Sequence, residues 1–148
     1  MYRVIDVSQK TEYAEEIYRI EKECFPDEFW SFELIQNDIK NPGSIYILCY
    51  EDTEIVGYAN VSTVLDEAEL NRIAVKHSYR RKGAARLIIS QLVRLLKETG
   101  YTKLMLEVRS QNISAVSLYS SCGFSADGIR KNYYQNPCDD AILMSLNI

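Results

Sequence analysis

The spacing of apolar residues along this chain changes repeatedly between the period of a strand and that of a helix, which predicts an α/β fold. A short strand over residues 2–7 precedes a helix whose apolar face extends to Cys24. Pro26 ends that helix, because a residue before proline disfavours helical geometry, and Ser31 can cap a second helix that runs toward Ile39. One strand and two helices are therefore predicted first.

A β-rich segment and a long helix are predicted next. Residues 44–49 and 54–64 form strands joined by a hairpin, and residues 70–75 form the strand after them. A long amphipathic helix begins after Gly83, and Gly100 is placed to end it in a left-handed conformation.

The last part of the chain is predicted to hold two strands and one helix. Residues 103–108 leave almost no polar face, so we expect this strand to be central in a sheet and covered on both sides. Asn112 can cap a helix that ends near Ser121, and residues 142–146 form the closing strand.

Composition and charge limit the classes of protein to consider. A chain of 148 residues with 47% apolar content fits a single domain over residues 1–148. It has no apolar segment long enough to span a membrane and no signal-peptide segment at its start, so we expect a cytoplasmic protein without membrane contact. The four cysteines lack a C-x-x-C pair, and His77 is the only histidine, so we expect neither a metal nor a disulfide. The net charge of −4 argues against direct nucleic-acid binding.

A basic turn rich in small residues separates the strand ending at Val75 from the long helix. The turn and the helix start consist of Arg80, Arg81, Lys82, Gly83, Ala84, Ala85 and Arg86. Small residues let a ligand approach the backbone, and the N–H groups at a helix N-terminus attract an anion. The residue order fits neither the phosphate loop of nucleotide hydrolases nor a dinucleotide fingerprint. The turn therefore predicts a pyrophosphate site, with a solvent-exposed helix start as the alternative.

This turn resembles [RQ]-x-x-G-x-[GA], the acetyl-coenzyme A loop of the Gcn5-related N-acetyltransferase (GNAT) family, with Arg80, Gly83 and Ala85 at its defined positions. Residues 104–124 resemble the family signature L-E-V-R-x-x-N-x-x-A-x-x-L-Y-x-x-x-G-F. Segments around Cys24–Ser31 and Arg130–Met144 are similar to the ribosomal-protein alanine N-acetyltransferase subgroup. The resemblance covers nearly the whole chain.

The resemblance implies the GNAT fold, a mixed, mostly antiparallel seven-stranded sheet flanked by about four helices and splayed between strands 4 and 5. It implies acetyl-CoA as acetyl donor, with no metal. The residues that would bind the donor are Ile73, Ala74, Val75, Arg80, Arg81, Lys82, Gly83, Ala84, Ala85, Arg86 and Asn112. A helix cap is the alternative role of Asn112, and both roles can coexist.

Acyl transfer requires a neutral amine, a polarised thioester carbonyl and a protonated leaving thiolate. Glu107, the only charged residue between Lys103 and Arg109, is predicted to accept the amine's proton through a water molecule. Its alternative role is an ion pair with Arg72 or Arg109. An α-amine has a reference pKa of about 7.7 to 8.0, against about 10.4 for lysine, so a modest base favours a protein N-terminus as acceptor.

Tyr119 is the candidate acid. It follows Asn112 by about two helical turns, so the two side chains share one helix face. A phenol with a pKa of about 10 can protonate a thiolate whose pKa is about 8.5 while staying neutral at rest. The alternative is a core tyrosine, since the chain contains 11 tyrosines.

The acceptor side rests on the family resemblance. Phe25, Phe29 and Trp30, together with Tyr133 and Tyr134 between the last two strands, are candidate walls around a peptide N-terminus, with ordinary packing as the alternative. A group of acidic residues is interpreted as a solvated helix face: Glu21, Glu23, Asp27 and Glu28. Two features depart from the subgroup near this groove, namely Arg72 in place of Asn or Ser and Glu28-Phe29 before Trp30.

Together these residues predict an Nα-acetyltransferase that works by direct attack, with Glu107 as base and Tyr119 as acid. The expected acceptor is a basic ribosomal protein beginning with alanine. Acetylation of a small amine, such as an antibiotic, polyamine or amino acid, stays open, as does a non-catalytic acetyl-CoA-binding module. The oligomeric state is open, with a monomer favoured.

Overall fold

The computed structural model describes all of residues 1–148 and contains a seven-stranded sheet. The strands are β1 (Tyr2–Asp6), β2 (Ser44–Glu51), β3 (Glu54–Val64), β4 (Glu67–Val75), β5 (Lys103–Arg109), β6 (Ser125–Tyr134) and β7 (Asp139–Asn147). The α-helices are α1 (Ala14–Cys24), α2 (Phe32–Ile39), α3 (Ala84–Glu98) and α4 (Ile113–Ser121). Short 3₁₀ helices lie at Thr11–Tyr13 and His77–Tyr79.

The strand order is β1-β2-β3-β4-β5-β7-β6, and only β4 and β5 run parallel to each other. Their pairing is limited to Glu67–Glu69 with Lys103–Met105. Beyond these residues β4 and β5 have no register with each other, which confirms the predicted mixed sheet with a splay between its fourth and fifth strands.

Helices cover both faces of the sheet. Alternate residues of β2 point to opposite layers, so that Ile47 packs in the core beneath α3 and Leu48 in the core beneath α1 and α2. None of the helices is long and apolar enough to cross a lipid bilayer. The four cysteines are free thiols, and no three His, Cys, Asp or Glu side chains are grouped so as to hold a metal ion.

The coverage of β5 differs from the prediction. Leu104, Leu106 and Val108 are buried, but the residues between them are only partly buried, so the strand is central without being covered on both sides. The reason is that α1 and α2 pack on β2, β3 and β4 and leave this face of β5 without a helix. Glu107 lies on that face, opposite the layer of α3 and α4.

The start of β4 and the presence of β6 also correct the sequence prediction. β4 begins at Glu67 rather than at Leu70, because Glu67–Glu69 pair with both β3 and β5. β6 was not predicted from spacing, since nearly all of its side chains are exposed and it has no apolar alternation. Tyr133 and Tyr134, predicted to lie between the last two strands, are the last two residues of β6.

The predicted helix ends are confirmed. The Ser31 side chain accepts a hydrogen bond from the Leu34 N–H (3.1 Å) at the start of α2. Asn112 caps α4 in the same way, accepting from the Ala115 N–H at 3.3 Å. Gly100 follows α3 with φ = +94°, the left-handed conformation expected there.

Candidate active site

A cavity of about 800 Å³ opens next to the splay, between the end of β4, the start of α3 and one face of α4. Every predicted donor-binding residue except Lys82 lines it: Ile73, Ala74, Val75, Arg80, Arg81, Gly83, Ala84, Ala85, Arg86 and Asn112. Tyr119 and Phe25 line the same cavity. Residues that are far apart in sequence are thus brought to one site large enough for a cofactor-sized ligand.

The N-terminus of α3 provides unpaired backbone donors to this cavity. The hydrogen bond from the Leu87 N–H to the Gly83 carbonyl (3.1 Å) is the first of the helix. The N–H groups of Ala84, Ala85 and Arg86 precede it and have no acceptor within the helix. Gly83 has φ = +89°, and a Cβ built there would meet no atom within 4 Å, so the space in front of these groups is open. This arrangement suits an anion.

The basic side chains of the turn have different partners. Arg80 Nε donates to the Val75 carbonyl at 2.9 Å, which holds this side chain at the end of β4. Arg86 Nη2 donates to Ser121 Oγ at 2.8 Å and so connects α3 with α4 beside the cavity. Lys82 does not line the cavity, and its ammonium lies 5.9 Å from the ring centroid of Tyr79.

The edge of β4 that faces the splay is open. A Cβ built on Gly57 of β3 would lie 2.7 Å from the Ala74 carbonyl oxygen, so that carbonyl points toward β3. Backbone groups alternate along a strand, and those of Ile73 and Val75 therefore point toward the splay. The Val75 carbonyl already accepts from Arg80, and from Cys24 Sγ at 3.4 Å. Ile73 is left with free backbone groups for an extended ligand.

Tyr119 lies on α4 with 8% of its surface exposed, at the wall of the cavity. Its ring packs against Phe124, with 5.7 Å between centroids. Burial, and then the nearby Cys122 and Tyr134, raise the pKa of Tyr119 to about 12. The residue therefore has both features considered for it, core packing and contact with the cavity, and its hydroxyl keeps its proton at neutral pH.

Other residues of the lining had no role assigned from the sequence: Cys24, Tyr79, Ser114, Ala115, Ser117, Leu118 and Ser121. Ser114, Ser117 and Ser121 recur at the spacing of one helix face, and this signal could have identified them. Cys24 and Tyr79 reach the cavity only through the packing of α1 and of the segment after β4, which no local pattern shows.

Glu107 lies on the other face of β5, and its side chain is 22% exposed. The alternative prediction, an ion pair of Glu107 with Arg72 or Arg109, is wrong. The ion-pair partner of Glu107 is Arg130, with 3.9 Å between Arg130 Nη2 and Glu107 Oε1. The reason is that Arg72 and Arg109 bind other groups. Arg109 donates to two carbonyls of the β6–β7 loop, and Arg72 lies beside Glu21.

Two pairs of aromatic residues were predicted as walls around the acceptor. Tyr133 and Tyr134 pack edge to face at the end of β6, with 5.0 Å between ring centroids. The Glu107 carboxylate raises the pKa of Tyr133, and burial followed by Glu107 raises that of Tyr134, so both phenols lie near this carboxylate. Phe25 and Trp30, in the loop between α1 and α2, pack against the core layer of these two helices.

Glu21 corrects the interpretation of the acidic residues as a solvated face. It is fully buried and accepts hydrogen bonds from the Tyr58 hydroxyl and from the Trp30 N–H (2.9 Å). Arg72 Nε lies 3.3 Å from its other oxygen, Oε2. Burial, and then Glu21, raise the pKa of Tyr58 well above its ordinary value. Glu21 is therefore a buried anchor for neighbouring elements.

Comparison with known proteins identifies a family and named relatives. Residues 14–124 match the family described as the Acetyltransferase (GNAT) family. The [ribosomal protein bS18]-alanine N-acetyltransferase of Haemophilus influenzae is 39% identical over 136 residues, which cover 88% of this chain and 90% of that protein.

Solved structures share the fold. The crystal structure of the ribosomal-protein-S18-alanine N-acetyltransferase from Escherichia coli matches with a TM-score of 0.90 and 32% identity, covering 100% of this chain and 94% of that one. An acetyltransferase of Bacillus anthracis, solved in complex with acetyl coenzyme A, has a TM-score of 0.69 and 25% identity, with 76% and 67% of the chains covered. The predicted fold is therefore confirmed.

Proposed function

Since this chain belongs to the GNAT family of acetyltransferases, we propose that it transfers the acetyl group of acetyl-CoA to the N-terminal α-amine of a ribosomal protein that begins with alanine. The observation that carries the proposal is the cavity at the splay of the sheet. Tyr119 of α4 lines it from one face, Phe25 at the end of α1 lines it from the other, and Glu107 lies on the face of β5 that no helix covers. The identity of 39% with an alanine N-acetyltransferase supports the choice of substrate. We place this activity in the cytoplasm, where newly made ribosomal proteins are found.

The cavity fits the donor. Acetyl-CoA supplies the acetyl group as a thioester, and its pyrophosphate matches the free N–H groups at Ala84–Arg86 and the guanidinium groups beside them. The open edge at Ile73 suits the amide groups of pantetheine, which would bind like an added strand. Asn112 lies on the cavity wall and caps α4 with its side-chain oxygen, so its amide nitrogen stays available to the donor.

Glu107 is assigned the role of base. Its carboxylate is partly exposed on the acceptor face and takes the proton of the α-ammonium group through water. The neutral nitrogen then attacks the thioester carbon and forms the new C–N bond. A backbone N–H at the edge of β4 polarises the carbonyl, because that edge is open at the splay.

Tyr119 is assigned the role of acid. As the C–S bond breaks, its hydroxyl gives a proton to the departing sulfur and recovers one from solvent after the step. With a pKa of about 12, the phenol stays neutral until the reaction demands the proton. The amine proton ends on Glu107 and the thiol proton comes from Tyr119, so no covalent enzyme intermediate is required.

The acceptor is proposed to lie between the two aromatic pairs. Tyr133 and Tyr134 lie near Glu107 at the end of β6, and Phe25 and Trp30 pack in the layer of α1 and α2, beside which this face of β5 is uncovered. An α-amine has a pKa of about 7.7 to 8.0, so a partly exposed carboxylate is a sufficient base for it. Lysine, with a pKa of about 10.4, would require a stronger one.

Thiol release from acetyl-CoA tests the proposal. Short basic peptides with a free N-terminal alanine are compared with the same peptides N-terminally blocked but containing lysine, and with a panel of small amines. Turnover only with free N-termini, and acetyl mapped to that amine by mass spectrometry, is the expected result. Turnover only with small amines identifies a small-amine enzyme. Tight acetyl-CoA binding without any turnover identifies a non-catalytic module.

A further inference from the structure

Arg72 connects β4 to the loop between α1 and α2, residues 25–31, which we call the aromatic loop. Its guanidinium carbon lies 4.2 Å from the ring centroid of Phe25 and 4.9 Å from that of Trp30. Nη2 donates to the backbone carbonyl of Glu28 at 2.8 Å. A single planar cation therefore contacts the aromatic loop near both ends and in the middle.

The contact is anchored by a buried charge. Glu21 is fully buried, and the Arg72 side chain is 15% exposed, with 3.3 Å between Nε and Oε2. The same carboxylate accepts from the Trp30 N–H through Oε1. One acidic group thus holds both the arginine and the loop, and a buried ion pair of this kind is destabilised strongly when one partner is lost.

The structure joins two departures that were separate in the sequence. Arg72 stands where the resembling subgroup has Asn or Ser, and the aromatic loop carries Glu28-Phe29 before Trp30. In the fold, Arg72 binds the backbone of Glu28, so the two changes form one contact. Asn and Ser have no guanidinium to stack on two rings and donate to the loop at once.

We propose that Arg72 is a positioning residue that holds the aromatic loop against β4 and thereby sets which acceptor amines the enzyme takes. Arg72 directly precedes Ile73, at the open edge of β4. The side chains that it holds are the two proposed acceptor walls, Phe25 and Trp30. The acceptor part of this inference rests on the proposed function, whereas the holding of the loop does not.

Trp30 offers a direct readout, because it is the only tryptophan in the chain. In Arg72→Ala we expect a red-shifted Trp30 emission and about twofold stronger quenching by acrylamide, since the loop loses its cation and moves toward water. Arg72→Lys keeps a charge beside Glu21 but loses the planar group. Its emission wavelength and quenching are expected to lie between those of the wild type and those of Arg72→Ala. Arg94→Ala, which removes an exposed arginine of α3 paired with Glu98, is the matched control and should leave the spectrum unchanged.

Acceptor kinetics supply the second readout, with whichever amine the wild-type enzyme acetylates. In Arg72→Ala we expect the acceptor KM to rise about tenfold. We also expect the differences in kcat/KM among acceptors that differ in their first side chain to become smaller. The kcat at saturation should stay within about twofold, because Arg72 pairs with neither Glu107 nor Tyr119. The dissociation constant of acetyl-CoA should rise less than the acceptor KM, because Phe25 is the only residue of the aromatic loop that lines the cavity. Arg72→Lys should recover part of the difference in kcat/KM among these acceptors.

Several outcomes would overturn the proposal. An unchanged Trp30 spectrum shows that Arg72 does not hold the loop. A lower melting temperature with unchanged acceptor KM and ranking shows a structural residue only. If the wild-type protein acetylates no amine, the proposed function fails and the acceptor part falls with it, while the Trp30 spectrum still decides whether Arg72 holds the loop.

Discussion

The guanidinium of Arg130 lies 3.9 Å from the carboxylate of Glu107, and this is the ion pair that Glu107 makes. The arginine side chain is 56% exposed, so water screens the attraction between the two groups. Exposed pairs of this kind contribute about 0 to 1 kcal/mol, which is too little to explain Glu107 as a structural residue. Arg130 therefore holds this carboxylate only weakly.

Replacing Glu107 with Gln should lower kcat about 10²- to 10⁴-fold, because the amide cannot accept the amine's proton. The dissociation constant of acetyl-CoA should not change, since Glu107 does not line the donor cavity. Steady-state kinetics and calorimetry measure the two quantities. Arg130→Gln is the control, because it removes the ion pair and keeps the base. An equal loss of kcat in both variants would reduce Glu107 to an ion-pair partner.

Tyr119→Phe should lower kcat about 10²-fold or more while preserving the ring that packs on Phe124. Burial disfavours the phenolate and raises the pKa of Tyr119 to about 12, so the proton is held until the pH approaches that value. The pH profile of wild-type kcat should therefore show no alkaline loss from this group up to about pH 11. A loss centred at the ordinary phenol pKa of about 10 would contradict the assignment.

Most residues of the cavity at the start of α3 could be predicted, because their signal is local. The basic turn, Gly83 and the start of α3 are contiguous in the sequence. They line the same cavity as Asn112, which caps α4. Lys82 is the exception, since it does not line the cavity. The direction of one flexible side chain in a turn does not follow from a sequence pattern.

The acceptor side was less predictable because it depends on contacts between distant segments. Glu21 has the spacing of a buried helix residue but the charge of an exposed one, and its burial depends on Tyr58 of β3, Arg72 of β4 and the Trp30 N–H. β6 carries the proposed tyrosine wall, but nearly all of its side chains face water, so its strand is defined by pairing with β7 alone. The spacing of apolar residues indicates which positions are buried. An edge strand with few buried side chains therefore cannot be predicted from that spacing.

Gly83→Leu should weaken acetyl-CoA binding at least about tenfold, because a large side chain would enter the space in front of the free N–H groups of α3. Gly100→Leu is the matched control. Gly83 and Gly100 have φ values of +89° and +94° with open space around the missing Cβ, so both variants carry similar backbone strain, about 1 to 2 kcal/mol. Only the first should change the calorimetric dissociation constant; equal affinities would remove the helix N-terminus from the donor site.

Arg109→Lys should raise the acceptor KM several-fold without weakening acetyl-CoA binding. Arg109 donates to the carbonyls of Pro137 (2.9 Å) and Gln135 (3.1 Å) and stacks over the Tyr134 ring at 4.4 Å. Lysine cannot reproduce this planar arrangement, so the β6–β7 loop and its tyrosine should become mobile. Faster amide exchange over residues 133–138, together with the change in KM, would support this role. Unaltered exchange would show that the loop is held by other contacts.

Gly57→Ala should weaken both the fold and the donor site, because its methyl group would lie 2.7 Å from the Ala74 carbonyl oxygen and 3.2 Å from Ile88 Cδ1. A backbone atom cannot rotate away, so β4 must shift and carry Ile73 and Val75 with it. Gly128→Ala is the matched control, since its nearest neighbour would be Leu143 Cδ1 at 4.0 Å in another strand of the same sheet. We expect a lower melting temperature and a higher dissociation constant for acetyl-CoA in Gly57→Ala only. A stable Gly57→Ala variant with unchanged affinity would show that β4 can adapt without moving the edge that faces the splay.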